Sequence, residues 1–569
     1  MEADARAVPE PADGEPAYRL RRPDPEAARE LGRACGVGAA AAQVLLHRGI
    51  EDAETAREFL DPRLGGLTRP DGMADREAAV DRIARAVRAG ERIAVFGDYD
   101  VDGITSCALL SEALEALGGD TVALVANRFD GGYGFSDRAL ARCREAGARL
   151  IVTCDCGSSD HERLSAAARA GLDVVVLDHH LVPEEPLPAA AFINPHRPDC
   201  GFPYKGLASA GLALSLAAGV RAALGASLDL RRFLDLVALG TVADVAPLDG
   251  DNRRLVRAGL RCLASPDLRP GLIALREAAR LRAGAPLGAV DLAFRLAPRL
   301  NAPGRLGDAA PTLALLRARS VPQARAAAAR VEQLNDERKA IGGRVAEEAV
   351  AQVEAIYGPE PETGIVAAGE GWHRGVVGIV AARLADRYGV PAVCIALEDG
   401  VSHGSGRAPE GIGLYDALAA CRGLLRTFGG HRAAAGLSLA APRVGELREA
   451  FAEATAGCRD RAPGRAPVVD VAIDGATFPL PSLEDMQRLE PLGEANAEPV
   501  FVLPNVRVVE RRVVGEHHLK LGLELGRARL SAFGRNMAPR LERLGDGATL
   551  IGHLRPDTWA GRGLELHLL

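Results

Sequence analysis

Four short apolar runs between Arg92 and Asp178 constrain this chain more than any other feature. They are IAVF (93–96), VALVA (122–126), LIVT (150–153) and VVVL (174–177). Each is compact and largely β-branched, the kind of run that a parallel sheet buries on both faces. Between them, SCALLSEALEALG and SDRALARCREAG carry helical spacing. The alternation predicts an α/β fold built on a doubly wound parallel sheet. Such a sheet binds ligands in the crevice outside the carboxyl ends of its strands. Three of the four runs lead straight into acidic or imidazole side chains there, in GDYDVDG, CDCG and DHH.

The first of these segments supplies Asp98, Asp100 and Asp102. In an extended segment, residues spaced by two point to the same side, so the three carboxylates are expected to converge. Like charges that close repel unless cations neutralise them. A calcium loop of the EF-hand type needs a later glutamate, and none follows at the right place. Asp155 ends the third run, Asp178, His179 and His180 end the fourth, and Asp244 follows an apolar helix in LGTVADVAPL. Carboxylate oxygens suit Mg²⁺ or Mn²⁺, and added imidazole favours Mn²⁺. A carboxylate shared by two ions about 3.5–4 Å apart is the usual means of activating water and stabilising a leaving oxygen.

The remainder of the chain reads as further domains. Residues 1–16 are acidic and Pro-rich, and short helical stretches such as AAAQVLLHRGI and AETAREFL follow. A mostly helical stretch runs from Gly206 to Gly342, and Val321 to Ile356 reads as a long connecting helix. A second α/β unit covers about 363–457, with strands near GIVAA and AVCIAL and a helix in VVGIVAARLADRY. After the break RAPGRAP, closely spaced strand signals predict a small barrel. The net charge of −7 leaves no global cationic field, so nucleic acid must meet a local basic track. Aromatics make up only 4% of residues, so base stacking must rest on few side chains. The cysteines are scattered without a C-x-x-C pair, which argues against structural zinc or a disulfide framework. With no signal-peptide pattern and no apolar run of about 20 residues, a cytoplasmic enzyme with no membrane association is expected.

Taken in order, GDYDVDGITS, NRFDGGYG, VTCDCG, LDHH and GTVADVAPL resemble the motifs of the DHH phosphoesterase superfamily. CGFPYKGLA, APRLNAPGRLGDA, GWHRGVVGIVAARLADRYG, GSGR, FGGHRAAAG and RLEPLGEANAEPVF narrow the resemblance to the RecJ family of single-strand-specific exonucleases, from about Ala28 to the C-terminus. The resemblance implies an N-terminal tail and helical segment (1–70), a DHH metal-binding catalytic domain (71–260) and a helical connector (261–357). A DHH-associated substrate-binding domain (358–460) and an OB-fold single-strand-binding barrel (465–569) would complete the chain. It implies two Mn²⁺ or Mg²⁺ ions, one held by Asp102, Asp155, His179 and Asp244 and the other by Asp98, Asp100 and Asp155. Catalysis would fall to Asp102, Asp155 and His180, with His180 positioning the scissile phosphate or a metal-bound water. Asp178 would orient a histidine rather than bind metal.

Substrate contacts are expected from Arg128, Arg305, His373, Arg407, Gly429, Gly430 and His431, whose glycines let backbone N–H groups approach an anion. The same glycine motifs are also expected to form tight turns between strands. Arg299 and Asn301 are further phosphate candidates, and Tyr133 or Phe129 could stack on a base. The activity implied is 5′→3′ hydrolysis of single-stranded DNA in repair and recombination, by a monomer whose candidate partners are single-strand-binding protein and a helicase. Cys156 stands where the family usually has Asn, and Ala408 where it has Ser. Two other readings are a DHH phosphodiesterase acting on cyclic dinucleotides or short RNA, and a RecJ-like replication scaffold without catalysis.

Overall fold

The computed structural model describes residues 18–129, 134–282, 284–458, 466–526, 528–544, 547–557 and 563–569. Tyr133 lies outside the described residues. The chain forms two compact units, one comprising 18–332 with 467–569 and the other beginning at Gln333 and ending before the barrel.

The sheet of the larger unit consists of β1 (Arg92–Gly97), β2 (Asp120–Val125), β3 (Leu150–Cys154), β4 (Asp173–Leu177) and β5 (Ala191–Ile193). All its pairings are parallel and the order is β2-β1-β3-β4-β5. In this order the chain reverses direction between β1 and β3, and the crevice opens at the carboxyl ends of those two strands. Cores lie on both faces of the sheet, one around Ile93, Val95, Val152 and Val175 and the other around Phe96, Phe135, Ile151 and Val176. Helix α1 (Val101–Ala116) follows β1 directly and is buried along most of its length. The turn between them depends on two glycines. A Cβ on Gly97 would lie 2.3 Å from the Gly103 carbonyl oxygen, and one on Gly103 would lie 2.5 Å from the Asp98 nitrogen. Helices α2 (Ser209–Ala223) and α3 (Leu234–Ala243) pack against α1.

The helices from Leu263 to Val331 share the core of this sheet, including α4 (Ala297–Leu306), so this part of the connector is built into the metal-binding body. The helices between Pro25 and Leu60 instead share a core with the barrel. That barrel is formed by β11 (Phe501–Val514), β12 (His518–Leu525), β13 (Ala528–Gly534), β14 (Ala548–Pro556) and β15 (Leu564–Leu568). It runs β11-β12-β13-β15-β14 and closes by pairing β14 with β11, the five-stranded ring of an OB-fold.

Helix α5 (Val321–Tyr357) leads into the second unit. There β6 (Ile365–Glu370), α6 (Val377–Tyr388), β7 (Ala392–Leu397), β8 (Ser402–Arg407), β9 (Thr427–Gly430) and β10 (Ala434–Leu439) build a mixed sheet ordered β9-β10-β8-β7-β6. The turns expected at GSGR and FGG are therefore corrected to strands. Crowding explains the residue choice, since a Cβ on Gly404 would meet Ile395 and Leu437 at 3.0 Å and one on Gly406 would meet Leu414 at 3.0 Å. Among the described residues, no helix is long and apolar enough to cross a membrane.

Candidate metal centre

The acidic and imidazole side chains gather at the crevice between β1 and β3. Asp98 leaves β1 fully buried. The chain does not remain extended beyond it, which corrects the alternation expected for the three aspartates. Asp100 caps α1 by accepting a hydrogen bond from the Gly103 amide (3.0 Å), and Asp102 lies in the first helical turn. The strand-to-helix bend, rather than a two-residue period, brings them to the same region and splits them between two sets of ligands.

Asp155 follows β3 with φ +66°, a left-handed backbone that redirects its carboxylate. Its Oδ1 lies 3.1 Å from His179 Nε2, which is also 3.7 Å from Asp244 Oδ2 and 4.0 Å from Asp102 Oδ2. Three sets of ligand atoms lie within 4.8 Å of one another: Asp98, Asp100 and Asp155; Asp102, His179 and Asp244; and Asp155, His179 and His180. Asp155 and His179 each belong to two of them. Neither carboxylate oxygen of Asp98 nor the Nε2 of His179 meets hydrogen-bond geometry, although all three atoms are buried. Buried polar atoms are normally satisfied, so these orphans fit a cation.

Surrounding groups hold the cluster in place. The amides of Ser209 and Ala210, at the start of α2, donate to the Asp102 carboxylate at 2.7 and 3.0 Å, and Ser209 Oγ donates to Asp155 at 3.0 Å. A helix N-terminus favours negative charge at this place. Asp244 caps the other end of α3, whose terminal carbonyls favour a cation. Gly240 leaves room for the arrangement, since a Cβ there would lie 2.5 Å from Asp102 Oδ1. Asp178 accepts from His180 Nδ1 (2.8 Å) and from the backbone amides of His179 (2.8 Å), His180 (3.2 Å) and Ser158 (3.0 Å). Its oxygens are thereby committed to orienting the histidines. Asn194 Nδ2 donates to the His180 carbonyl at 2.9 Å. Ser209, Ser158, Asn194 and Gly240 were not singled out from sequence, because a serine at a helix start or a glycine inside a helix has many commoner uses.

The electrostatics reflect anions crowded out of water. Burial, followed by the charge of Asp100, raises Asp102 to about 7 and pushes Asp98 and Asp155 well above the usual carboxylate range. Burial, with Asp102 and Asp100 next, raises Asp244 to about 8. His179 is lowered to about 4 by burial and the neighbouring His180, which keeps it a neutral donor. For His180, burial lowers the value but the Asp178 hydrogen bond prevails and raises it to about 9. Burial opposes ionisation of Asp178, yet the His180 contact outweighs it and brings Asp178 to about 2.

A pH dependence follows. Carboxylates whose folded values are raised stabilise the metal-free protein below the unfolded value, and that contribution is lost as pH rises through about 7 to 8. A divalent cation displaces those protons and binds more tightly as pH rises. The gain in melting temperature on adding Mn²⁺ is therefore expected to be larger near about pH 8.5 than near about pH 6. Differential scanning fluorimetry at the two pH values checks this, and equal gains would contradict it. Asp178→Asn should keep the fold and weaken Mn²⁺ affinity roughly 10- to 100-fold, read by titration calorimetry.

The substrate candidates are distributed over both units. In the larger one, the Arg128 guanidinium stacks on the Tyr99 ring at 4.2 Å, within the GDYD turn. Arg305, at the end of α4, lies within electrostatic reach of the same tyrosine, and a Cβ on the preceding Gly304 would come within 2.5 Å of the Tyr99 carbonyl oxygen. Arg299 is not presented to a phosphate. It is held by Glu332 at 2.7 and 3.2 Å and by the Arg295 carbonyl. In the second unit, Arg407 donates to Ser405 Oγ (3.0 Å) and the Gly406 carbonyl (2.7 Å), and His373 Nδ1 accepts from the Gly375 amide. Gly429 and Gly430 form the exposed edge strand β9, and His431 follows it exposed.

Three family models match the chain. They are the DHH family, N-terminal domain, over residues 92–241, the DHHA1 domain over 362–457 and the RecJ OB domain over 469–568. The single-stranded-DNA-specific exonuclease RecJ of Dickeya dadantii is 41% identical over 505 residues, 84% of this chain and 84% of that protein. The chain belongs to the RecJ family. A crystal structure of RecJ in complex with Mn²⁺ from Thermus thermophilus matches with a TM-score of 0.77 at 30% identity, covering 97% of this chain and 78% of that one. The RecJ structure with Mg²⁺ from the same organism matches with a TM-score of 0.72 at 29% identity, covering 97% and 77%. The carboxylate and imidazole donors of this RecJ-family chain fit either ion.

Proposed function

We infer that the chain is a metal-dependent exonuclease that removes nucleotides from single-stranded DNA in the 5′→3′ direction. The observation that carries this reading is the sharing of Asp155 between neighbouring sets of ligand atoms at the sheet's crevice. In the proposed assignment, Asp98, Asp100 and Asp155 hold one divalent ion, and Asp102, Asp155, His179 and Asp244 hold the other. When bound, such a pair of ions activates water and stabilises both the attacking and the leaving oxygen of an in-line displacement. The chain's own part is to orient and exclude. Asp178 fixes the His180 ring, which is thereby set to donate to a phosphate oxygen. Arg128, steadied on Tyr99, and Arg305 supply charge-assisted donors to the phosphates beside Asp98 and Asp100. His373, Arg407, Gly429, Gly430 and His431 are the substrate-binding residues proposed for the second unit, and the barrel adds a platform for single strands.

The same reading carries a cytoplasmic monomer working in repair and recombination beside single-strand-binding protein and a helicase. The test is hydrolysis with Mn²⁺ of a single strand labelled at one end or the other, alongside a duplex and a cyclic dinucleotide. Labelled mononucleotide should appear first from the 5′ end, with the duplex resistant. Faster turnover of the cyclic dinucleotide would favour the phosphodiesterase reading, and absence of hydrolysis would favour a scaffold.

A further inference from the structure

Three large apolar side chains stand out on the surface: Phe294 is 75% exposed, Leu181 72% and Val245 65%, while every other large hydrophobic among the described residues is less than half exposed. Single exposed hydrophobics are ordinary on a protein surface and need no explanation. The positions of these three are what distinguishes them. Leu181 directly follows His180, and Val245 directly follows Asp244. Phe294 lies on the π-helical turn Leu292–Leu296, which packs against α3, the helix that ends at Asp244.

Local backbone geometry presents two of them deliberately. Val245 adopts φ +59°, a left-handed conformation that is costly for a β-branched residue and that gathers at functional sites. A π turn widens the helix, and such turns recur at functional sites. Here it carries Phe294 outward while Leu292 and Leu296 remain in the core. Phe294, Asn301 and Arg305 recur along one face of the helical run that continues through α4, and all three are at least partly exposed. Phe294 stands eleven residues before Arg305, about 16 Å along a helix axis. Gly304, the residue before Arg305, lies against the turn that carries Asp98 and Asp100, since a Cβ on it would come 2.5 Å from the Tyr99 carbonyl oxygen.

We propose that Leu181, Val245 and Phe294 form an apolar track leading away from the metal centre that receives the nucleobases of the strand, with Phe294 as its stacking platform. The chemistry divides by side chain. Phosphates take the cations and the arginines, whereas bases, which all have an aromatic face, take the apolar groups without regard to sequence. Leu181 and Val245 border the terminal nucleotide. At a base rise of about 3.4 Å, Phe294 meets a base a few nucleotides further on. The track would hold the strand in register while the end is cleaved.

This proposal rests on the single-strand nuclease reading, and the two can fail separately. Hydrolysis of a 5′-phosphorylated dodecamer by the unaltered chain tests the reading, and the length dependence of a Phe294 variant tests the track. For Phe294→Ala, KM for the dodecamer is expected to rise about ten-fold, as loss of one stacked base implies. The rise should be confined to strands long enough to reach position 294, so a dinucleotide is affected less than two-fold. Phe294→Trp should retain low KM, and adding the dodecamer in EDTA should quench its fluorescence beyond any change in the unaltered chain, which carries Trp372 and Trp559. The tryptophan variant also controls for folding. An unchanged dodecamer KM in Phe294→Ala, an equal rise on both lengths, or a Trp signal indifferent to the strand would each overturn the track. Loss of binding to another protein with dodecamer KM unchanged would likewise assign Phe294 to a docking surface instead.

Discussion

Replacing Asp155 with alanine is expected to reduce kcat on single-stranded DNA by at least about a thousand-fold, since a metal ion's charge stabilisation is worth several kcal/mol and each 1.36 kcal/mol is a factor of ten. The effect is large because Asp155 belongs to two of the three sets of ligand atoms, and its carboxylate lies 3.1 Å from His179, which likewise belongs to two. The variant should also lose most of the rise in melting temperature that Mn²⁺ gives the native chain. That second readout matters, because removing this buried carboxylate also relieves its repulsion with Asp100, Asp102 and Asp244. The metal-free variant is therefore expected to melt no lower than the native chain. A variant with native kcat in Mn²⁺ would show that the hydrolysis arises elsewhere.

Replacing Arg253 with methionine should produce the largest loss of stability. Its guanidinium is buried against the Phe59 ring at 3.6 Å and donates to the carbonyls of Phe59, Arg488, Leu489, Glu490 and Pro491. One cation thus joins the N-terminal helices, the metal-binding body and the segment leading into the barrel. Burial, with Arg257 next, lowers it to about 9, so it remains charged at neutral pH. Methionine keeps comparable bulk but leaves carbonyls at the end of a helix without their donor. Breaking a buried charged network of this kind costs roughly 3–5 kcal/mol. The larger unit should melt about 3–6 °C lower, since 1 kcal/mol corresponds to roughly 2–4 °C in a domain of moderate size and to about 1 °C in a unit this large. The segment also reaches the metal site, as the Leu248 amide donates to the Glu494 carbonyl four residues after Asp244. Weaker Mn²⁺ binding should accompany the lower melting point. A melting point within about 1 °C of native, to order of magnitude the error of such a scan, would refute the keystone role.

How far the chain could be read from its residues differs from place to place. The strands of the catalytic sheet were legible because each is buried on both faces and so is written as an unbroken β-branched run. The acidic and imidazole residues stood out because they follow those runs directly. The strands Ser402–Arg407 and Thr427–Gly430 were not legible, since glycine gives no β signal and their pairing depends on partners distant in sequence. The helices between Pro25 and Leu60 were visible as helices, but nothing local indicated that their apolar faces would meet the barrel.

The order and chemical type of the elements were written in the chain itself, because burial on two faces and the demands of a cation each restrict residue choice at single positions. The β2-β1-β3-β4-β5 order, the division of ligands around Asp155 and His179, the commitment of Asp178 to the histidines and the exposure of Phe294 emerged only in three dimensions. Those features arise from distances between groups brought together by packing, and no local pattern of residues encodes such distances.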